Sequence, residues 1–253
     1  MWSYTLFCLV MVEQVMCQGT FRILGGDEAP EAFLPYQVFV TYVRNNQRSI
    51  CGGSIISDRY ILTAAHCIDD EFINDPSTGT VRAGSNHRTK GVNIPLDKAI
   101  RHPDYSSDNK EKDIAVLRAT STIVFNNYIK SLNLPSKGRE VTGVVTVSGW
   151  GKTEDFKKYP FKLMYVYLPV VDSDTCRESY GSQLTENMFC AGNYTMGGPG
   201  ACVGDSGGPA AQDDYLVGIV SWGEGCGLPL QPTVFINVAA PAMRDFITEN
   251  TGL

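Results

Sequence analysis

The chain has three histidines, and only His66 stands where acid–base chemistry is plausible. It closes Leu62-Thr63-Ala64-Ala65-His66-Cys67, an apolar strand-like run ending beside a cysteine, and would be held rigidly, as a general base must be. His87 lies among polar residues and His102 precedes Pro103, so both read as inert loop residues. Asp113 heads the run Ile114-Ala115-Val116-Leu117. A carboxylate at the head of an apolar strand costs free energy unless it has a partner; taken alone, it reads as a strand-edge or turn residue. The third motif is Gly204-Asp205-Ser206-Gly207-Gly208. Its glycines permit unusual backbone angles, lift the Ser206 hydroxyl into the open and let backbone N–H groups converge on a developing oxyanion. Alone, this run could be a Gly-rich turn.

Together the three motifs specify nucleophilic catalysis. A serine hydroxyl attacks poorly until a base takes its proton, and the base needs a carboxylate to fix its tautomer. The order His66, Asp113, Ser206 is one of the known chain orders of such a triad.

These residues need a frame, and the sequence supplies strands. Val38–Val43, Ser54–Ile56, Tyr60–Thr63, Ile114–Leu117, Val144–Val147, Leu163–Leu168, Tyr215–Trp222 and Thr233–Val238 are short β-branched or aromatic runs. Gly, Pro, Asn and Asp clusters such as Asn74-Asp75-Pro76-Ser77 and Met196-Gly197-Gly198-Pro199-Gly200 separate them. Short strands without long helices between them predict an antiparallel sandwich or barrel. One helix is expected at the C-terminus, from Pro241 through Met243, Phe246 and Ile247 to a stop at Gly252. A seam between two sub-domains is expected near Thr120 to Ser136.

The 253 residues suffice to bury a core, and the mix of 43% hydrophobic and 19% charged residues is that of a globular protein. A net charge of −6 offers nothing to nucleic acid or an anionic membrane, so neither is expected as a partner. Thr5–Val12 is apolar over the length of a signal-peptide core and too short to span a bilayer, with cleavage expected after Cys17. Residues 1–17 therefore read as a signal peptide. Of the eight cysteines, Cys8 and Cys17 fall in that segment. Cys51, Cys67, Cys176, Cys190, Cys202 and Cys226 remain, an even number that suggests disulfides in an exported chain. Fifteen pairings are open on sequence alone. No Cys-x-x-Cys pair supports a metal site instead.

From about Ile23 to Gly252 the chain resembles the trypsin/chymotrypsin-like serine peptidases, on the residues around His66, Asp113 and Ser206 and on Arg22-Ile23-Leu24-Gly25-Gly26 and Ser221-Trp222-Gly223. The resemblance implies two antiparallel six-stranded β-barrels, about 23–130 and 131–253, with the active site between them and a C-terminal α-helix. It implies His66 as general base, Asp113 as its orienting carboxylate, Ser206 as nucleophile, and the N–H groups of Gly204 and Ser206 as the oxyanion hole. Ser221-Trp222-Gly223 would pair with the substrate backbone, Ser221 also supporting Asp113, and the bridges would be Cys51–Cys67, Cys176–Cys190 and Cys202–Cys226. Cleavage after Arg22 would remove a propeptide, 18–22, and free the Ile23 amine to pair with Asp205, a buried ion pair serving as a switch.

Trypsin-like members of that family carry an aspartate six residues before the nucleophile; here the position is Gly200, followed by Ala201. Without an acid there, Lys or Arg has no counter-ion. Gly223 keeps the entrance open, Thr233 narrows the far wall, and Glu224 is expected at the rim. An apolar P1 residue is expected, Leu, Met or smaller favoured and Phe or Tyr also open. The loop from Gly84 to His102 lacks paired glutamates, so no calcium site is expected, and no cofactor or other metal is implied. Asn193-Tyr194-Thr195 is a glycosylation sequon. The reading is a secreted, monomeric serine endopeptidase made as a zymogen. Its expected partners are protein or peptide substrates, an activating trypsin-like protease and protein inhibitors. The alternative is a non-catalytic relative that only binds.

Overall fold

The computed structural model describes residues 25–44, 47–153 and 159–253. Its strands are β1 (Asp27–Glu28), β2 (Gln37–Arg44), β3 (Gln47–Ile55), β4 (Tyr60–Thr63), β5 (Gly79–Ala83), β6 (Val92–Asn93), β7 (Leu96–Arg101), β8 (Ala115–Ala119), β9 (Val144–Gly149), β10 (Met164–Val171), β11 (Met188–Ala191), β12 (Pro209–Gln212), β13 (Tyr215–Trp222) and β14 (Thr233–Asn237). The helices are α1 (Asp70–Asn74), α2 (Ser173–Tyr180) and α3 (Pro241–Thr251), with short 3₁₀ turns between.

Two antiparallel sheets result. One runs β6-β5-β2-β3-β4-β8-β7 and curls into a half-barrel. The other runs β10-β11-β14-β13-β12-β9 and closes on itself through β9–β10 pairing, giving a six-stranded barrel with β1 added at β10. The two-barrel architecture expected from the sequence is the one observed, with the first barrel less fully closed among the described residues. β1 is the first strand among the described residues but pairs in the second barrel, Asp27 opposite Tyr165, so the division of the barrels along the chain is not a single cut.

The β2 residues Val38 and Val40 are fully buried and their neighbours Gln37, Phe39, Thr41 and Tyr42 nearly so, because one face of the strand fills its own barrel and the other meets its surroundings. At the seam between barrels, Ser148 Oγ of β9 donates to Gln37 Oε1 at 2.7 Å, which satisfies two buried polar groups at once. Gly52 of β3 lies against Gly208, where a Cβ would come within 2.8 Å of the Gly208 Cα, so the approach requires glycine.

α3 starts on Pro241 and stops at Gly252 in the left-handed region, φ +77°, and buries Met243, Phe246 and Ile247. Phe246 packs on the His102 ring, centroids 4.8 Å apart. His102 is thus a buried packing residue rather than the idle loop residue its sequence context suggests. Its N–H donates to Ile114 O at 3.0 Å and its Nδ1 accepts from Asp104 N at 3.1 Å. Burial holds its pKa below the usual histidine value. Disulfides join Cys51–Cys67, Cys176–Cys190 and Cys202–Cys226, one set out of the fifteen open to the sequence. No helix among the described residues is long and apolar enough to cross a membrane.

Candidate active site

Strand register gathers the three motifs. Thr63 of β4 pairs with Ala115 of β8, so the residues just after Thr63 and just before Ala115 emerge at one end of the first barrel. These are His66, in the 3₁₀ turn Ala65–Cys67, and Asp113. In the second barrel Pro209 of β12 pairs with Ile219 of β13, which brings the segment before Pro209, carrying Ser206, to the same end as Ser221. The two ends meet at the seam. Gly52 N donates to Ser206 O at 2.8 Å, and a Cβ on Gly207 would strike Thr63 Oγ1 and the Ala64 N–H. Gly207, at φ +77°, is therefore glycine for space as well as for backbone angle.

Asp113 is fully buried and both of its carboxylate oxygens are hydrogen-bonded. Oδ1 accepts the His66 backbone N–H at 2.8 Å; Oδ2 lies 2.7 Å from His66 Nδ1 and accepts from Ser221 Oγ at 2.5 Å. Donors thus reach it from both barrels. A carboxylate so held keeps the imidazole proton on Nδ1 and leaves Nε2 free to accept. Ser206 is half-buried, and no hydrogen bond joins its Oγ to the ring; such bonds commonly tighten only once substrate is bound. Gly204 takes φ +101°, and neither its N–H nor that of Ser206 donates to another described residue. Two unspent donors thus lie at Ser206, the arrangement an oxyanion needs.

Asp205 lies directly beneath. It is fully buried, with Oδ1 accepting from Gly151 N at 2.7 Å and Oδ2 from Cys202 N at 2.9 Å. A Cβ on Gly149 or Gly151 would collide with this carboxylate. Burial pushes its pKa from 3.8 up to about 6, with the two backbone donors pulling the other way. No cation among the described residues pairs with it; Arg22 and Ile23 lie outside those residues. The sign of the pH effect follows. In the uncleaved chain the acid costs almost nothing below about pH 3, where both folded and unfolded states are protonated. As pH rises to about 6 the unfolded state ionises first, and roughly 3 kcal/mol of stability is lost. The melting temperature of the uncleaved chain should therefore fall, relative to that of its Asp205→Asn variant, between pH 4 and pH 7; parallel curves would refute the shift.

In front of Ser206 a cleft of about 280 Å³ is lined by Ala201, Val203, Val220, Ser221, Trp222, Gly223, Glu224 and Thr233, with the Cys202–Cys226 bridge and Gly225 in its wall. Ala201, Ser221, Trp222, Gly223 and Thr233, all expected at the substrate pocket, line it. Gly200 does not: it is buried behind the wall, where a Cβ would come within 3.0 Å of Gly227. Val203 and Val220 were not singled out from sequence, because nothing local distinguishes them from ordinary loop and strand valines. Tyr180 meets Trp222 edge-on at 4.8 Å and fixes that wall. The one cluster of potential metal ligands among the described residues, Cys51, His66 and Cys67, holds its two sulfurs in a disulfide and has no thiolate to offer.

Two barrels, a serine in the cleft between them and a histidine held by a buried aspartate make up the architecture of a chymotrypsin-like serine peptidase. Comparison with known proteins agrees: residues 23–247 match the family described as Trypsin. Trypsin-4 of Rattus norvegicus is 37% identical over 222 residues, covering 86% of this chain and 85% of that protein. Trypsin 5G1 of Aedes aegypti is 37% identical over 237 residues, covering 92% and 86%. Trypsin-1 of Astacus astacus is 36% identical over 227 residues, covering 86% and 95%. The chain belongs to the trypsin family and is a serine endopeptidase acting on protein substrates.

Proposed function

We propose that this endopeptidase is secreted as a zymogen, is activated by a trypsin-like protease cutting after Arg22, and cleaves after apolar P1 residues. Residues 1–17 serve as signal peptide, 18–22 as propeptide and 23–253 as the peptidase, a monomer open to protein inhibitors. Ser206 Oγ attacks the scissile carbonyl while His66 Nε2 takes its proton, and Asp113 holds the ring and stabilises the imidazolium. The N–H groups of Gly204 and Ser206 receive the oxyanion; His66 then protonates the leaving amine, and water repeats the sequence on the acyl-enzyme. After cleavage the Ile23 amine pairs with Asp205 and fixes the segment that carries both oxyanion donors.

The apolar preference rests on one observation: the cleft beside Ser206 has Ala201, Val220, Gly223 and Thr233 in its walls and no carboxylate at Gly200 or Ala201. A second reading is favoured by Glu224, the one charged side chain lining the cleft, which would draw a basic P1 residue. A P1 library on the chain activated after Arg22 separates the two. Leu or Met at least about 10-fold above Arg in kcat/KM is the expected result. A dominant Arg preference that Glu224→Gln abolishes would install the second reading. Thr233→Gly should shift preference toward Phe and Tyr by about 10-fold, since pocket volume is worth that much per methylene or two.

A further inference from the structure

The segment that delivers Asp113 is strained and is held from the far side of the molecule. Lys110 and Lys112 both occupy the left-handed region, φ +57° and +54°, which a lysine adopts only with backbone strain. Such strain persists only where the surroundings over-determine it. Between the two lysines, the Glu111 side chain reaches out of the first barrel to the loop before β11 in the second. Its Oε2 accepts from Thr185 Oγ1 and its Oε1 from Asn187 Nδ2, both at 2.6 Å. Asn187 is buried, and its carbonyl accepts from Asn237 N at 2.8 Å, so the anchor is tied into β14. On the near side Lys112 Nζ pairs with Asp104 Oδ2 at 2.7 Å, and Ile114 N closes a tight turn onto Lys112 O at 2.8 Å. Asp113 sits inside that turn.

We infer that Glu111 is a positioning residue, a strut between barrels that sets where Asp113 stands relative to Ser221 and Ser206. This rests on the reading of Asp113 as the orienting carboxylate. The need for a strut is geometric. Asp113 and His66 belong to one barrel, Ser221 and Ser206 to the other, and a displacement of about 1 Å at such a site costs on the order of 100-fold. Glu111 lies two residues from Asp113 and makes its side-chain bonds to the opposite barrel, so it couples the turn to the body that carries the nucleophile.

The test is a cycle on the activated enzyme. Glu111→Ala should lower kcat by about 10- to 100-fold with KM little changed. Glu111→Gln, whose amide can accept from Asn187 and donate to the Thr185 hydroxyl, should restore kcat to within about 3-fold. In an Asp113→Ala background Glu111→Ala should have almost no further effect, because its route to the chemistry is gone. Thr185→Ala, which removes one of the two bonds at little risk to folding, should lower kcat in the same direction by a smaller factor. Equal losses in both backgrounds would reduce Glu111 to general stability, and no loss in either Glu111→Ala or Thr185→Ala would refute the strut. Asp113→Ala alone keeping full kcat would overturn the reading of Asp113 itself, a different failure.

Discussion

Asp113→Asn in the activated enzyme is expected to lower kcat by about 10⁴-fold on a peptide amide substrate while the protein stays folded. The carboxylate has two oxygens and three donors: the His66 backbone N–H on one, and His66 Nδ1 with Ser221 Oγ on the other. An asparagine replaces one oxygen with an NH₂ group. Placed against the backbone N–H, that group would oppose a donor that cannot turn away, at a buried site where each unmet donor costs about 1–3 kcal/mol. Placed on the other side, it faces a hydroxyl that can rotate to accept and an imidazole that can switch tautomers. The second arrangement is the cheaper one, and it moves the ring proton to Nε2, where it faces Ser206 and leaves no base. Folding survives because the substitution keeps volume and most hydrogen bonds. Kinetics at saturating substrate, with a thermal melt on the same sample, measure both halves; a kcat within about 10-fold of the parent would refute Asp113 as the group that fixes the tautomer.

On the proposed activation by cleavage after Arg22, Asp205→Asn is expected to remove nearly all of the gain in activity. The freed Ile23 amine would enter a buried site whose acceptor is now neutral, and an unpaired buried ammonium costs about 3–5 kcal/mol. That corresponds to a loss of about two to four orders of magnitude in the fraction of molecules with the amine docked. The effect reaches the chemistry through Cys202 N and Gly151 N, which hold the two carboxylate oxygens and so set the turn that carries Gly204 and Ser206. The ratio of kcat/KM after and before cleavage, for parent and variant, measures it. Equal activation of both would show that this carboxylate is not the switch.

Much of this was legible in the chain itself. Tyr60–Thr63 and Tyr215–Trp222 coincide with β4 and β13, because β-branched and aromatic runs bounded by turn residues leave little else to be. The start of α3 at Pro241 and its end at Gly252 follow from the same local chemistry. Elements whose cues are tertiary were missed. β5 reads Gly-Thr-Val-Arg-Ala and β7 Leu-Asp-Lys-Ala-Ile-Arg, too polar to stand out, and each forms because it has a neighbour to pair with. α2 is a polar helix, Ser173–Tyr180, whose main cue is Asp172 accepting from Asp174 N and Thr175 N. In the site, His66, Asp113 and Ser206 could be singled out because the three motifs and their order are specific together, although none is alone. The burial of His102 under Phe246 and the reach of Glu111 to Asn187 depend on contacts between distant segments, and no window of sequence displays those.

The way the chain is threaded through its two barrels has a consequence for synthesis. The strands of the half-barrel are complete once Ala119 has been made, with His66 and Asp113 already in the chain, but the partner of Asp27 is Tyr165 and Ser206 comes later still. A chain interrupted between Asp113 and Ser206 therefore carries the proposed base and its carboxylate without the proposed nucleophile, and until residue 165 is made β1 has nothing to pair with. The proposed base and nucleophile are thus supplied by early and late parts of one polypeptide, and an unfinished copy lacks the complete set.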